Sequence, residues 1–226
     1  MHLYIGITTF MALVVPAILE KTPEAFAEKL SLVCKIPGVE RIQVDFGDGV
    51  FIENHLLEAG DMDSLNPAFH WEAHLMVQSP NDFLDYQICG FKTLIVHYEA
   101  FSSVSELIAT IQTIKSMGFK AGVAVSPETP VEVLVSIKAD QYLIMSVIPG
   151  KQGQGFIENT LNKVKELRKL LPGAIIEVDG GVNLANVNSI AQAGTDLIVA
   201  GSAIVSGGNM AENFEKLKVE MYKNKI

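Results

Sequence analysis

The sequence predicts an α/β fold in which eight parallel strands, each followed by a helix, close into one barrel. Three observations lead to this expectation. The chain has 226 residues, which is too few for two ordinary domains yet enough for a large core. Eight short apolar runs rich in Val, Ile and Leu recur along it as continuous stretches, which is typical of strands covered by helices on both faces. The segments between these runs carry the residues that begin and end helices.

The predicted strands are these eight apolar runs. They cover residues 13–19, 39–45, 71–76, 93–97, 120–125, 141–147, 174–178 and 197–200. The predicted helices cover residues 23–35, 80–89, 103–117, 130–138, 158–171, 184–193 and 210–223. Eight units in 226 residues give about 28 residues each, which suits a compact, single (β/α)8 TIM barrel. The segment 48–66 is the poorest in helix signals.

The helix ends are predicted from two kinds of residue. A hydroxyl side chain before a proline indicates a start, because the hydroxyl caps the helix and the first helical position needs no N–H. These pairs are Thr22-Pro23, Ser79-Pro80 and Thr129-Pro130. A glycine after the last apolar position indicates an end, because it adopts the left-handed conformation without strain. These glycines are Gly90, Gly118 and Gly194.

An open, doubly wound sheet is the alternative fold. Such a sheet usually carries a glycine-rich GxGxxG turn after its first strand, where a dinucleotide binds. The corresponding residues here, Leu19-Glu20-Lys21-Thr22, include no glycine. The closed barrel is therefore favoured.

The charge and cysteine content narrow the classes of function. The net charge is −9, from 17 basic and 26 acidic residues without a Lys/Arg block, so a surface for nucleic acid or anionic membranes is not expected. The uncharged stretch from Leu3 to Leu19 contains Pro16 and lacks the basic start of a secretory signal, so we expect no membrane span. Cys34 and Cys89 lie far apart, which argues against a disulfide framework and suits a cytoplasmic protein.

Polar side chains follow several of the predicted strands, where barrel enzymes place their active sites. Asp45 ends the second strand and Asp179 the seventh, so the two carboxylates face each other across the barrel mouth. Such a pair can remove a proton from one face of a carbon and return one to the other. His74, at the end of the third strand, is a candidate metal ligand beside them. Taken singly, each aspartate could instead cap a helix and His74 could be a core histidine.

Glycine-rich loops form a second signal. Residues 149–155 follow the sixth strand, Gly180-Gly181 the seventh and Gly201-Ser202 the eighth. Loops after strands seven and eight commonly bind phosphate in barrels, because exposed backbone N–H groups attract an anion. The alternative is that these glycines only form tight turns.

Eight segments contain or adjoin these residues and follow one another in the order VPAIL, QVDFGDGVF, AHLMV, VHYEA, AGVAVSPETP, LIMSVIPGKQGQGFI, IEVDGGVN and VAGSAIV. On these segments, from about Val14 to Ile204, the sequence resembles the ribulose-phosphate 3-epimerase family of TIM barrels. The resemblance implies that a C3 proton of a ketopentose 5-phosphate moves through an enediolate, as in conversion of ribulose 5-phosphate to xylulose 5-phosphate. It implies Asp45 and Asp179 as the catalytic pair.

The resemblance also implies a divalent metal (Zn, Mn, Fe or Mg) as cofactor. Its ligands would be Gln43, Asp45, His74 and Asp179. Residues implied to bind the substrate are Ala17, His74, Met76, Met145, Gly150, Gly153 and Gln154. Residues implied to bind its phosphate are Gly180, Gly181, Gly201 and Ser202, together with Gly153. On their own, Met76 and Met145 would be interpreted as packing residues.

Three positions depart from the pattern of the resembled family. Gln43 stands where a histidine is usual, Ala17 where a serine is usual and Gly47 where a methionine is usual. Two other kinds of function therefore stay open. One is a different epimerase, lyase or decarboxylase acting on another sugar phosphate, for which Lys151 is the candidate lysine. The other is a protein that binds a sugar phosphate without turning it over.

The family pattern also suggests the domain boundaries. It starts close to Met11, so residues 1–10 are expected to be an N-terminal extension and residues 11–226 the barrel. We expect a sugar phosphate as the small-molecule partner and a homo-oligomer, a dimer or larger.

Overall fold

Eight parallel strands pair in chain order, and the first pairs with the last, so the sheet closes into a barrel. The computed structural model describes residues 12–57, 62, 65–84, 90–150 and 153–223. The strands are β1 (Leu13–Ile18), β2 (Arg41–Gly47), β3 (His70–Met76), β4 (Phe91–His97), β5 (Lys120–Val125), β6 (Gln141–Met145), β7 (Ile176–Asp179) and β8 (Leu197–Ala200). The predicted (β/α)8 barrel is confirmed.

Helices surround this barrel between the strands. They are α1 (Pro23–Val33), α2 (Pro80–Leu84), α3 (Val104–Ser116), α4 (Thr160–Leu170), α5 (Val187–Gln192), α6 (Ser202–Val205) and α7 (Met210–Tyr222). Short 3-10 turns cover Tyr98–Ala100 and Val131–Leu134. The sequence did not predict α6, which directly follows β8 and lies at the predicted phosphate loops.

The strands alternate more than the sequence analysis assumed. On β2, Ile42, Val44 and Phe46 pack in the apolar core shared with the helices, whereas Gln43 and Asp45 form polar contacts inside the barrel. Both faces of β2 are buried, as the continuous run predicts, but helices cover only the outer face, and the inner face points into the closed barrel. Alternation puts every second residue of β2 inside the barrel, where the polar side chains of β2 lie alongside apolar ones from other strands, such as Leu143 and Val199.

The helix predicted over 130–138 is wrong. Only a 3-10 turn over Val131–Leu134 forms there, since β-branched valines alternate at 131, 133 and 135 and disfavour an α-helix. The Thr129 hydroxyl does not cap a helix but donates to Glu99 Oε1 at 2.5 Å.

The other two predicted helix starts are confirmed. Thr22 caps α1 by accepting from the Ala25 N–H at 3.3 Å, and α2 begins at Pro80 as predicted. Residues 85–89 of the helix predicted over 80–89, Cys89 among them, lie outside the described residues. The predicted terminal glycines all have a positive φ. The angles are 97° for Gly90, 91° for Gly118 and 106° for Gly194.

Among the described helices, none is both long and apolar enough to cross a membrane. Cys34, at the end of α1, packs against the core, and burial raises the pKa of its thiol. This agrees with a packing role for that cysteine.

The predicted extension, residues 1–10, and Met11 lie outside the described residues. The barrel itself is anchored from Ala12 onward, whose carbonyl accepts a 2.6 Å hydrogen bond from the Tyr222 hydroxyl of α7. We therefore expect a variant that starts at Met11 to unfold within about 2–4 °C of the full chain, a shift that corresponds to roughly 1 kcal/mol for a domain of this size. Thermal unfolding followed by circular dichroism measures this. A markedly larger loss would mean that residues 1–10 pack against the barrel.

Candidate active site

The predicted catalytic residues lie at the carboxyl ends of neighbouring or facing strands. Asp45 on β2 pairs in register with His74 on β3, and Asp179 ends β7 beside Met145 of β6. All three side chains reach into the barrel mouth because alternation along each strand turns them inward. The structure therefore brings together the acid–base pair and the candidate metal ligand that the sequence analysis placed there.

Gln43 connects the two aspartates. Its amide Nε2 donates to Asp45 Oδ1 and to Asp179 Oδ2, each at 2.8 Å. His74 Nδ1 lies 3.0 Å from Asp45 Oδ1 and 3.6 Å from Asp179 Oδ2. Two carboxylates, an imidazole and an amide thus share one buried cluster, with Gln43 fully buried.

The pKa values of Asp179 and His74 in this cluster differ from the ordinary values of these groups. Burial, together with the charge of Asp45, raises the pKa of Asp179 to about 7. Burial alone would lower the pKa of His74, but its hydrogen bond to Asp45 and the charges of both aspartates outweigh this and raise it. A carboxyl group that stays partly protonated near neutral pH is suited to proton transfer.

Three of these residues could hold a divalent cation. Asp45, His74 and Asp179 each offer a ligand atom, and these atoms lie within 4.8 Å of one another. Gln43 fits as a fourth ligand through its own oxygen, Oε1, which is buried and has no hydrogen-bond partner among the described residues. A half-turn of the terminal amide exchanges Oε1 with Nε2 at little change of shape, so the oxygen can face the cluster. The donor set therefore suits a cation.

The remaining predicted residues mostly surround one central cavity. Besides Asp45, His74 and Asp179, its walls include Ala17, Met76, Met145, Gly150, Gly153, Gly180, Gly181, Gly201 and Ser202. Gln154 is not among them. Its amide donates to the Ile148 carbonyl at 2.6 Å, and it lines a neighbouring cavity with Phe51 and Asn54. Lys151, the candidate lysine for lyase chemistry, lies outside the described residues.

The loop after β7 requires glycine at two successive positions. Gly180 has a φ of 118°, and a Cβ there would lie 2.4 Å from Val147 Cγ2. Gly181 has a φ of 62°, and a Cβ there would lie 2.6 Å from the Phe156 backbone nitrogen. The main chain at this part of the cavity wall therefore carries no side chains. An anion can approach the backbone closely there.

The structure accounts for one of the three departures. A Cβ on Gly47 would lie 2.4 Å from Ile52 Cδ1 and 3.0 Å from the Asn54 carbonyl oxygen. Ile52 therefore fills the space that a larger side chain at position 47 would need. Ile52 packs beside Met76, which lines the central cavity, and itself lines the neighbouring cavity. At Ala17 the wall carries a methyl group in place of the hydroxyl that the resemblance implies.

Sequence reasoning assigned no role to His97 and Glu99, which extend the cluster away from the cavity. His74 Nε2 lies 2.9 Å from His97 Nε2, and His97 Nδ1 lies 3.3 Å from Glu99 Oε2. Burial lowers the pKa of His97 to about 4. Although burial alone would raise it, hydrogen bonds from His97 and Thr129 lower the pKa of Glu99 to about 2. The signal in the sequence was a second histidine at a strand end, two residues before a glutamate.

Comparison with known proteins shows what this chain resembles as a whole. The Ribulose-phosphate 3 epimerase family model matches residues 13–205. The chain is 35% identical over 215 residues to the chloroplastic ribulose-5-phosphate-3-epimerase of Arabidopsis thaliana, covering 91% of this chain and 76% of the relative. It is 35% identical over 204 residues to the ribulose-phosphate 3-epimerase of Bacillus subtilis (strain 168), covering 86% and 92% respectively.

A solved structure shows the same fold at lower sequence identity. The 3-hexulose-6-phosphate synthase from Salmonella typhimurium has a TM-score of 0.70 and 20% identity, covering 93% of this chain and 99% of that one. At that identity the likeness concerns the barrel alone. The likeness in function rests on the closer relatives.

Proposed function

Because this chain belongs to the ribulose-phosphate 3-epimerase family and is an epimerase, we propose that Asp45 and Asp179 are its acid–base pair. The reaction inverts C3 of a ketose phosphate, with ribulose 5-phosphate and xylulose 5-phosphate as the expected pair of epimers. One observation carries the proposal: the two carboxylates, from strands on different sides of the mouth, converge so closely that one amide nitrogen contacts both.

The two aspartates divide the proton transfers by face. A carbon held between them loses its proton to one carboxylate and receives a proton from the other on the opposite face, which inverts the centre. This needs one ionised and one protonated carboxyl at the start. The pKa of Asp179, raised to about 7, supports that condition, because near neutral pH the group exists in both forms.

We propose that Asp45, His74, Asp179 and, through Oε1, Gln43 hold a divalent cation. When bound, the cation supplies electrostatic stabilisation of the enediolate oxygens. Among Zn, Mn, Fe and Mg, replacement of a usual histidine by the amide oxygen of Gln43 shifts the preference toward the harder Mn and Mg. His74 and Gln43 then act as ligands and orient the aspartates without exchanging the C3 proton.

We propose that the phosphate lies on the backbone of the loops after β7 and β8. Gly180, Gly181, Gly201 and Ser202 line the same side of the cavity, and the first N–H groups of α6 have no acceptor within that helix. The net charge of −9 makes capture by a general basic field unfavourable, so a local site of N–H groups is needed. The residues that would contact the sugar are Ala17, Met76, Met145, Gly150 and Gly153. Gln154 would contact the substrate only after its loop rearranges.

The proposed reaction is tested by following ribulose 5-phosphate in deuterated water by NMR. We expect xylulose 5-phosphate to form with deuterium at C3, because the proton returned comes from a carboxyl group that exchanges with solvent. Absence of C3 label with every pentulose and hexulose phosphate tried, at enzyme levels sufficient for a related epimerase, would refute it. A product with fewer carbons would indicate a lyase instead.

Replacing Ser202 by Pro tests the phosphate assignment. Proline is tolerated at the first position of a helix but removes one N–H donor. Since a hydrogen bond to a charged group contributes about 1.5–3 kcal/mol, we expect KM for the sugar phosphate to rise about 10–100-fold. Ser202→Ala, which keeps the N–H, is the matched control and should change KM less than about threefold. Equal KM values for the two variants would place the phosphate elsewhere.

We also propose a cytoplasmic location and a homo-oligomer. The cysteine content supports the cytoplasmic location, because two widely spaced cysteines suit a reducing compartment. The acidic net charge agrees with it, since it disfavours binding to anionic surfaces. Analytical ultracentrifugation checks the second, and a monomer at micromolar concentration would contradict it.

A further inference from the structure

Two side chains behind the cavity, His97 and Glu99, continue the hydrogen bonding of His74 into the protein. The cavity wall includes His74 but neither of these two residues, and their hydrogen-bonded connection to it runs through His74. His97 is fully buried, with its ring 5.1 Å from that of His74 and 4.9 Å from that of Phe51, measured between centroids. The His74–His97–Glu99 row is therefore fixed by packing as well as by hydrogen bonds.

The far end of the row sets the direction of its hydrogen bonds. Glu99 Oε1 accepts from the Ser126 backbone N–H at 2.8 Å and from the Thr129 hydroxyl at 2.5 Å. Its other oxygen, Oε2, faces His97 Nδ1 at 3.3 Å. An ionised carboxylate can only accept, so His97 carries a proton on Nδ1.

The proton on His97 Nδ1 also decides which of the two histidines donates the hydrogen bond between them. Only one of the facing Nε2 atoms, 2.9 Å apart, can carry the proton between them. If His97 is neutral, its proton is already on Nδ1, and the shared proton belongs to His74 Nε2. The opposite arrangement would place the positive charge on His97, which faces one carboxylate at 3.3 Å, and not on His74, which faces Asp45 at 3.0 Å and Asp179 at 3.6 Å.

We propose that Glu99 and His97 are positioning residues that keep a proton on His74 Nε2, so that Nδ1, which faces Asp45 and Asp179, is the nitrogen that gives up its proton to become a ligand. The inference rests on the proposed function in one respect, that His74 Nδ1 is a ligand of a divalent cation. Fixing the tautomer favours binding, because the ligand nitrogen must have lost its proton before it can donate its lone pair. When a cation binds, His74 Nδ1 releases its proton to solvent while Nε2 keeps its own.

The direct test is 15N NMR of the histidine rings in the full chain. In the zinc-loaded protein we expect one proton on His74 Nε2 and one on His97 Nδ1. In the metal-free protein His97 keeps this tautomer. A proton on His97 Nε2 in either form would overturn the proposal, and this measurement needs no variant and no activity.

Glu99→Gln reverses the direction with nearly no change of shape. The Ser126 N–H can only donate, so the new amide must turn its oxygen to Ser126 and its NH2 to His97 Nδ1. His97 then becomes an acceptor at Nδ1 and a donor at Nε2, which forces the proton of His74 onto Nδ1. We expect NMR to show both tautomers exchanged and calorimetry with Mn²⁺ and Zn²⁺ to show affinity about 10–100-fold lower.

Thr129→Val is the matched control. It removes one hydrogen bond to the same Glu99 oxygen but leaves the carboxylate and its acceptance from His97. We expect both tautomers to stay as in the unaltered chain and the metal affinity to change less than about threefold. If Thr129→Val weakens metal binding as much as Glu99→Gln, the effect is structural and the proposal is wrong.

The outcomes separate this proposal from the proposed function. If the unaltered chain binds neither cation, the metal assignment fails, whereas the tautomers measured in the metal-free protein still decide whether the row has the stated direction. If C3 of the substrate acquires no deuterium while the tautomers and affinities behave as stated, the epimerase mechanism fails and the positioning role stands.

Discussion

Asp45→Asn and Asp179→Asn should each lower kcat for epimerisation by about 10²–10⁴-fold, the usual contribution of a positioned acid or base. Each carboxyl serves one face of C3, so neither can replace the other. Asn keeps the size of the side chain and one acceptor oxygen, which can still accept from Gln43 Nε2, so that the barrel should fold. Steady-state assays in both reaction directions, with each epimer of the substrate, measure the loss.

A second measurement distinguishes loss of a proton carrier from loss of a metal ligand. The aspartate that remains can still remove and return a proton on its own face. We therefore expect each variant to exchange C3 hydrogen of one epimer with deuterated water without inverting the centre, and the two variants to act on opposite epimers. Asp82→Asn, on the exposed side of α2, is the control and should match the unaltered chain. Exchange of the same epimer by both variants would contradict the division by face.

The strand-end rule explains why this much of the site was predictable from sequence. Carboxyl ends of parallel strands share one edge of a barrel, so Asp45, His74 and Asp179 had to meet once the strands were identified. Likewise, the glycines after β7 had to lie at the mouth. The backbone conformations that require them, with φ of 118° and 62°, are local properties that glycine itself signals.

What the sequence did not reveal depends on distances between side chains from distant segments. The contact between His97 and His74 follows from their positions on neighbouring strands, but its direction is set by Glu99, whose other oxygen accepts from Ser126 and Thr129 in the loop after β5. Sequence spacing alone assigned Thr129 to a helix cap, because a hydroxyl before proline usually has that role. The filling of the space at Gly47 by Ile52 likewise requires the fold of the intervening loop.

Gln43→His should tighten the divalent metal by about tenfold or more, which corresponds to about 1.4 kcal/mol for each factor of ten. The amide now donates to both aspartates, and in the described part of the chain its buried Oε1 has no partner, so the amide must turn before it can offer a ligand oxygen. An imidazole offers a nitrogen that transition metals prefer. If the natural site is a weakened metal centre, turnover should rise together with affinity, because the cation stabilises the enediolate.

The competing account is that Gln43 is suited to the native reaction as it is, with its NH2 bridging the two carboxylates or contacting a different substrate. In that case the histidine would bind metal more tightly but turn over the best substrate more slowly. Titration of Mn²⁺ and Zn²⁺ into both proteins, with turnover measured at each metal concentration, separates the accounts.

Gln43→Leu is the companion variant, since it removes the hydrogen bonds to Asp45 and Asp179 and adds no ligand. If Gln43→Leu retains full turnover, neither the ligand oxygen nor the NH2 of Gln43 is needed, and its replacement of the usual histidine is neutral for the reaction.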